Sequence, residues 1–141
     1  MSGVTLRALI AFVLFIHGIG HVMGVLPALK LGSVEGWNSR SWLLTPILGE
    51  TISRILSIIL FLVALVGFVA SALALLGWVV PHDWWRTLAV VSAVISIVTI
   101  VLFWNAFVSF FPNKVGALGV DIAVLVCLLV QNWPTEAMLG Y

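Results

Sequence analysis

Charge is what this 141-residue chain has least of: 6 Lys and Arg with 5 Asp and Glu leave only 8% of positions charged. A soluble domain carries about 25%, so the charges here are too few to cover a surface facing water. With a net charge of +1 and no basic cluster, the chain lacks the electrostatic footprint needed for a nucleic acid partner. One cysteine, Cys127, excludes an internal disulfide, a paired-cysteine redox motif and a multi-cysteine zinc site. The patterns GxGxxG, GxxxxGK[ST] and GxSxG are missing, which removes support for nucleotide binding and for a hydrolase elbow.

What remains is apolar. Hydrophobic residues make up 63% of the chain and the mean hydropathy is +1.28. That composition predicts a multi-pass protein of the cell membrane, with the lipid bilayer as its first partner. Four runs are long enough to cross about 30 Å of hydrocarbon, which takes about 20 helical residues. They are Thr5 to Ala28, Thr51 to Val80, Trp84 to Phe111 and Val115 to Asn132. The expected fold is all-α, a single-domain integral membrane four-helix bundle. The first run follows Arg7 as a secretory leader would. It is longer than a leader's apolar core and no small-residue cleavage site closes it, so it is expected to be retained as a helix.

Pro81-His82-Asp83 and Pro112-Asn113-Lys114 break the later runs from one another. Trp78, Trp84, Trp85 and Trp133 fall at helix ends on one side, as an interfacial aromatic belt does. The long connection, Leu29 to Glu50, holds Trp37 and Trp42 beside Leu43 and Leu44, and reads either as a surface-lying segment or as an anchored hairpin. An even number of spans puts both termini on one side. Arg7 and Arg86 lie on that side, and Lys30, Arg40, Arg54 and Lys114 on the other. The positive-inside bias then places the long loop in the cytoplasm.

Ionisable groups within the hydrocarbon are costly and mark functional sites by default. Counted from the loop-side helix ends at about 1.5 Å per residue, His21 lies about 10 Å deep and Asn105 and Asp121 about 9 Å. His17 lies one turn deeper, and Glu50 and Arg54 stand at the mouth of the second helix. All four helices thus contribute a polar group to one half of the membrane. His17 and His21, four residues apart, share a helix face. Gly20 and Gly24 form a GxxxG on a nearly coincident face, which allows close approach of another helix.

Three roles fit the histidine pair: hydrogen-bonded glue between helices, a ligand or metal site, and a proton path. A zinc or iron site takes three or four protein ligands, and His17, His21 and Asp121 with Glu50 are the candidates. A haem gripped on both faces is disfavoured, because two histidines four apart point the same way and His82 lies at the opposite surface. Haem held on one face, or between subunits, stays open. A quinone-like ligand needs a hydrogen-bonding group and aromatic walls, which His21, Trp104 and Phe107 offer. Asp121 needs a partner, with Arg54, Asn105 and the histidines in reach, and a structural Glu50–Arg54 pair is an equal account of those charges. Ser92, Ser96 and Thr99 read as helix-packing residues.

The layout resembles the DoxX-like family of small four-helix membrane proteins. The likeness lies in Leu6-Arg7-Ala8, the apolar run with Gly18, Gly20 and Gly24, the long polar-aromatic first loop, and Leu48-Gly49-Glu50 opening helix two. It covers roughly residues 5 to 110. Members of that family are associated with membrane-bound oxidoreductases, including a subunit of a thiosulfate:quinone oxidoreductase. The resemblance implies that Glu50 is the acidic residue at the entrance of helix two. His17-Gly18-Ile19-Gly20-His21 has no counterpart in it. The combined expectation is a ligand-binding subunit (quinone, metal ion or haem) of a membrane redox system, acting as a homo-oligomer or within a larger membrane complex. The alternatives are a scaffold or assembly subunit, and a small proton- or ion-coupled transporter.

Overall fold

The computed structural model describes residues 2–33, 35–107, 111 and 113–141. Among them every regular element is a helix and no strand occurs. Helix α1 (Gly3–Gly20) continues into α2 (Val22–Ala28) through a tightened turn at His21, and α3 spans Leu44–Leu75. A 3-10 turn (His82–Trp84) leads into α4 (Trp85–Leu102), and a second (Trp104–Ala106) follows it. Helix α5 (Val115–Leu125) ends in a π turn (Val126–Val130), and a short α6 (Glu136–Leu139) closes the chain. The stretches Gly3–Ala28, Leu44–Leu75 and His82–Leu102 are long and apolar enough to cross a membrane, as in a multi-pass membrane protein; Val115–Val130 is shorter.

Side chains are sorted for an apolar surrounding. Ser53, Ser57, Ser71, Ser92, Ser96 and Thr99 are buried, while Phe12, Ile16, Ile55, Ile59, Val94 and Val98 are exposed. Small hydroxyl residues let helices approach closely, and large aliphatic ones lose nothing by facing lipid. Helix α3 packs against α1, α2 and α4, and α4 against α5. Helices α1 and α5 make few close backbone contacts, which leaves a seam between them.

Several element ends differ from the sequence-based bounds, each for a local reason. Helix α3 stops at Leu75, short of Val80, because Gly77 takes a left-handed conformation (φ 70°). The amides of Gly77 and Trp78 then close onto the carbonyls of Ala74 and Leu73 at 2.9 and 2.8 Å, which ends a helix. At its start, a short helical segment from Leu44 precedes a break at Gly49 (φ 81°, ψ 169°), so the span proper begins beyond Gly49, near the expected Thr51. Helix α4 ends at Leu102, well before Phe111, because the long loop satisfies its last carbonyls. Ser41 Oγ donates to Leu102 O (2.5 Å) and Trp42 Nε1 to Val101 O (2.7 Å). The remainder of the expected third span includes residues 108–110, which lie outside the described residues. Trp85, expected in an interfacial belt, is instead 1% exposed within the core. Trp37 wedges between Phe61 and Phe107, with ring centroids 5.4 and 4.8 Å away.

Candidate functional site

The turn at His21 builds the site. Its backbone amide bonds to Gly18 O at 3.0 Å. Its imidazole Nδ1 takes the carbonyl of His17, also at 3.0 Å. Because a carbonyl only accepts, Nδ1 carries a hydrogen. The other ring nitrogen, Nε2, lies 2.9 Å from Ser96 Oγ on α4. Ser96 Oγ is 2.6 Å from Asp121 Oδ2 on α5, and His17 Nε2 lies 2.7 Å from Asp121 Oδ1. Four side chains, two from the first long helical stretch and one each from α4 and α5, thus form a ring that returns to the His17 backbone. Asp121 is 0% exposed, Ser96 0% and His21 6%. Phe68 stands edge-on to His17 at 4.7 Å between ring centroids, and Phe61 and Phe68 flank His21 at 6.2 and 5.8 Å.

The ring bridges the seam, and a cavity of about 540 Å³ opens beside it, with His17, His21, Gly20, Phe61, Phe107 and Val120 among its lining residues. Its lining is predominantly apolar. Phe12, Ile16 and Met23, which also line it, are 62%, 51% and 42% exposed, so its mouth lies among the side chains that face the surroundings. His17 Nδ1 has no hydrogen-bond partner among the described residues, whereas both nitrogens of His21 are engaged. Both histidines expected at a ligand site line the cavity, and of the two it is His17 that has a ring nitrogen not already bonded within the described residues.

Gly20 and Gly24 do different work. A Cβ on Gly24 would stand 2.6 Å from the Phe61 ring, so this glycine does allow close packing. A Cβ on Gly20 would meet nothing within 4 Å, because that position faces the cavity.

No family model matches the chain, and no curated protein or solved structure matches it.

The remaining candidate residues divide. Phe107 lines the cavity and stands edge-on to Phe61, with ring centroids 5.8 Å apart. Trp104 is not among the described lining residues; its ring lies 5.0 Å from Lys114 Nζ. Asn105 lies beyond the end of α4, is exposed, and gives its backbone carbonyl to Asn38 Nδ2 (3.3 Å), so it does not join the buried ring. Glu50 pairs with Arg40 (2.5 Å) rather than Arg54, with both side chains mostly exposed. Arg54 lines a separate polar cleft of about 410 Å³ with Lys30, Arg40 and Glu50. Asp121 is paired with His17 and Ser96, not with Arg54 or Asn105. Among the described residues no three His, Cys, Asp or Glu side chains are grouped to hold a metal ion. The set His17, His21, Asp121 and Glu50 does not converge, because Glu50 is turned to the surface and both nitrogens of His21 face other partners.

Ser96 is the member that sequence reasoning assigned to packing alone. Its signal is its place on one helical face with Ser92 and Thr99, but a hydroxyl at packing spacing looks the same whether its neighbour is a backbone or a carboxylate.

Proposed function

We propose that this chain is a cell-membrane protein that takes a quinone-type lipophilic ligand from the bilayer into the cavity beside His17, as a small subunit of a membrane redox system. The observation that carries this reading is the pairing of an apolar, laterally placed cavity with one imidazole nitrogen left without a partner. A volume of about 540 Å³ falls in the usual range for small-molecule sites, about 300–1,000 Å³. With Nε2–H given to Asp121, Nδ1 of a neutral His17 is an acceptor suited to a hydroxyl of the reduced ligand. Phe61 and Phe107 supply aromatic walls. Insertion through four spans, assembly as a homo-oligomer or within a larger complex, and the DoxX-like resemblance belong to the same proposal.

The scaffold alternative draws on the closure of the ring: every buried side-chain nitrogen and oxygen among the described residues has a partner. One experiment separates the two. Protein in lipid nanodiscs is titrated with a short-chain benzoquinone and its quinol, alongside Gly20→Leu, which fills the cavity without a clash at Cβ. Saturable binding by the parent, and at least tenfold weaker binding by Gly20→Leu at unchanged melting temperature, supports the ligand reading. No saturable binding, or binding indifferent to Gly20→Leu, leaves the scaffold.

A further inference from the structure

The buried ring contains four hydrogen bonds: His17 Nε2 to Asp121 Oδ1, Asp121 Oδ2 to Ser96 Oγ, Ser96 Oγ to His21 Nε2, and His21 Nδ1 to the His17 carbonyl. Each needs one hydrogen. Two neutral imidazoles and a hydroxyl supply three, and an ionised Asp121 supplies none. The fourth must come from outside. We propose that the ring binds one exchangeable proton, shared between Asp121 and His21 through the Ser96 hydroxyl.

Two arrangements satisfy every bond. In one, Asp121 is a carboxylic acid: Oδ2–H donates to Ser96 Oγ, and Ser96 O–H donates to Nε2 of a neutral His21. In the other, His21 is an imidazolium: Nε2–H donates to Ser96 Oγ, and Ser96 O–H donates to the Asp121 carboxylate. Passing between them, the Asp121 O–H bond breaks as Ser96 Oγ gains that hydrogen. The original Ser96 hydrogen bonds to His21 Nε2. No electron moves, no heavy atom changes place, and the ring is neutral in both forms. Removing the proton leaves a net negative charge and one hydrogen bond unmade in a buried site, two penalties of the same sign.

Among the described residues, the titratable groups acting on His21 are His17 and Asp121. Helix α3 presents the Phe61 and Phe68 rings to the histidines, α4 presents Ser96, and α5 presents Asp121. Asp121 also holds His17, so the proton store sits one hydrogen bond behind the cavity wall. Its use by a cavity ligand rests on the function proposed above; the proton count itself does not.

The test is made without any ligand, on the intact protein in lipid bilayers. Histidine ring nitrogens are followed by 15N NMR and the carboxyl by infrared spectroscopy across pH. The expected result is release of one proton per chain, with the Asp121 and His21 signals moving together at one midpoint. Asp121→Asn supplies the fourth hydrogen permanently, since its amide donates to Ser96 and its oxygen accepts from His17. In that variant His21 should stay neutral and protonated on Nδ1 at every pH, and the melting temperature should match the parent. Asp121→Ala should melt lower. An ionised Asp121 beside two neutral histidines throughout the folded range overturns the proposal. Two separate midpoints, or an Asp121→Asn variant as unstable as Asp121→Ala, overturns it equally.

Discussion

Gly24 lies against the face of Phe61, with no room between them for a methyl group: a Cβ on the glycine would stand 2.6–2.7 Å from three ring carbons. Phe61 is 2% exposed and packs on Phe103 and Phe107 as well, so moving the ring away from a methyl group would disturb those contacts. Gly24→Ala should therefore destabilise the bundle by about 1–3 kcal/mol, the usual cost of overpacking. Gly20→Ala, at the end of α1 and beside the cavity, is the control and should melt within error of the parent. Thermal unfolding of both variants in one detergent checks the pair, and equal losses would contradict the packing account.

Ser41 joins two helix ends that belong to different spans. Its hydroxyl donates to Leu102 O at the end of α4 and accepts from the amides of Leu43 and Leu44 at the start of α3, at 3.3 and 3.0 Å. The residue is 2% exposed, so truncation leaves buried backbone groups unpaired. Ser41→Ala should cost about 1–3 kcal/mol and speed amide exchange at Leu43 and Leu44. Exchange confined to the loop, with Leu43 and Leu44 unchanged, would show that the hydroxyl is dispensable there.

Three of the four expected spans were legible in the sequence because membrane helices announce themselves by length and apolarity. Their ends were less so: the Gly77 stop and the cap supplied to α4 by Ser41 and Trp42 depend on which carbonyls are left over, and no hydropathy pattern encodes that. The depth count put Asp121 and both histidines in one half of the bundle but set Asp121 level with His21, whereas its imidazole partner is His17, one turn away. The same count placed Asn105 at that depth only because α4 was taken to continue to Phe111. Glu50 and Arg54, one turn apart, looked like a pair, but the loop brings Arg40 to Glu50 instead.

Acid should loosen the end of the molecule opposite the long loop. Burial pushes the Glu136 carboxyl upward, but hydrogen bonds from His82 and Trp85, with the charges of His82 and Arg86, outweigh it and hold the group below the ordinary glutamate range. His82 Nε2 lies 2.8 Å from one carboxylate oxygen, and Trp85 Nε1 3.3 Å from the other. A carboxylate whose folded value is depressed adds stability above its unfolded value and loses it as the pH falls through the folded one. Melting temperature should therefore fall as pH drops below the ordinary glutamate range, and fall less steeply in Glu136→Gln. Parallel curves for parent and variant would remove Glu136 from the acid response.

Orientation offers the last check. Lys30, Arg40, Arg54 and Lys114 lie toward the long-loop end and Arg7 and Arg86 toward the other, a bias of four cations against two. Short cationic segments flanking spans are retained in the cytoplasm, so the loop should be cytoplasmic and both termini outside. Glu50 leaves this argument untouched, because acidic residues contribute little to the bias. Ser39→Cys in a Cys127→Ser background places one thiol at the loop, beside a tryptophan that donates to the Ser39 hydroxyl in the parent (2.8 Å). In intact cells that thiol should resist a membrane-impermeant maleimide and react once the membrane is opened. Ready labelling before opening would reverse the orientation.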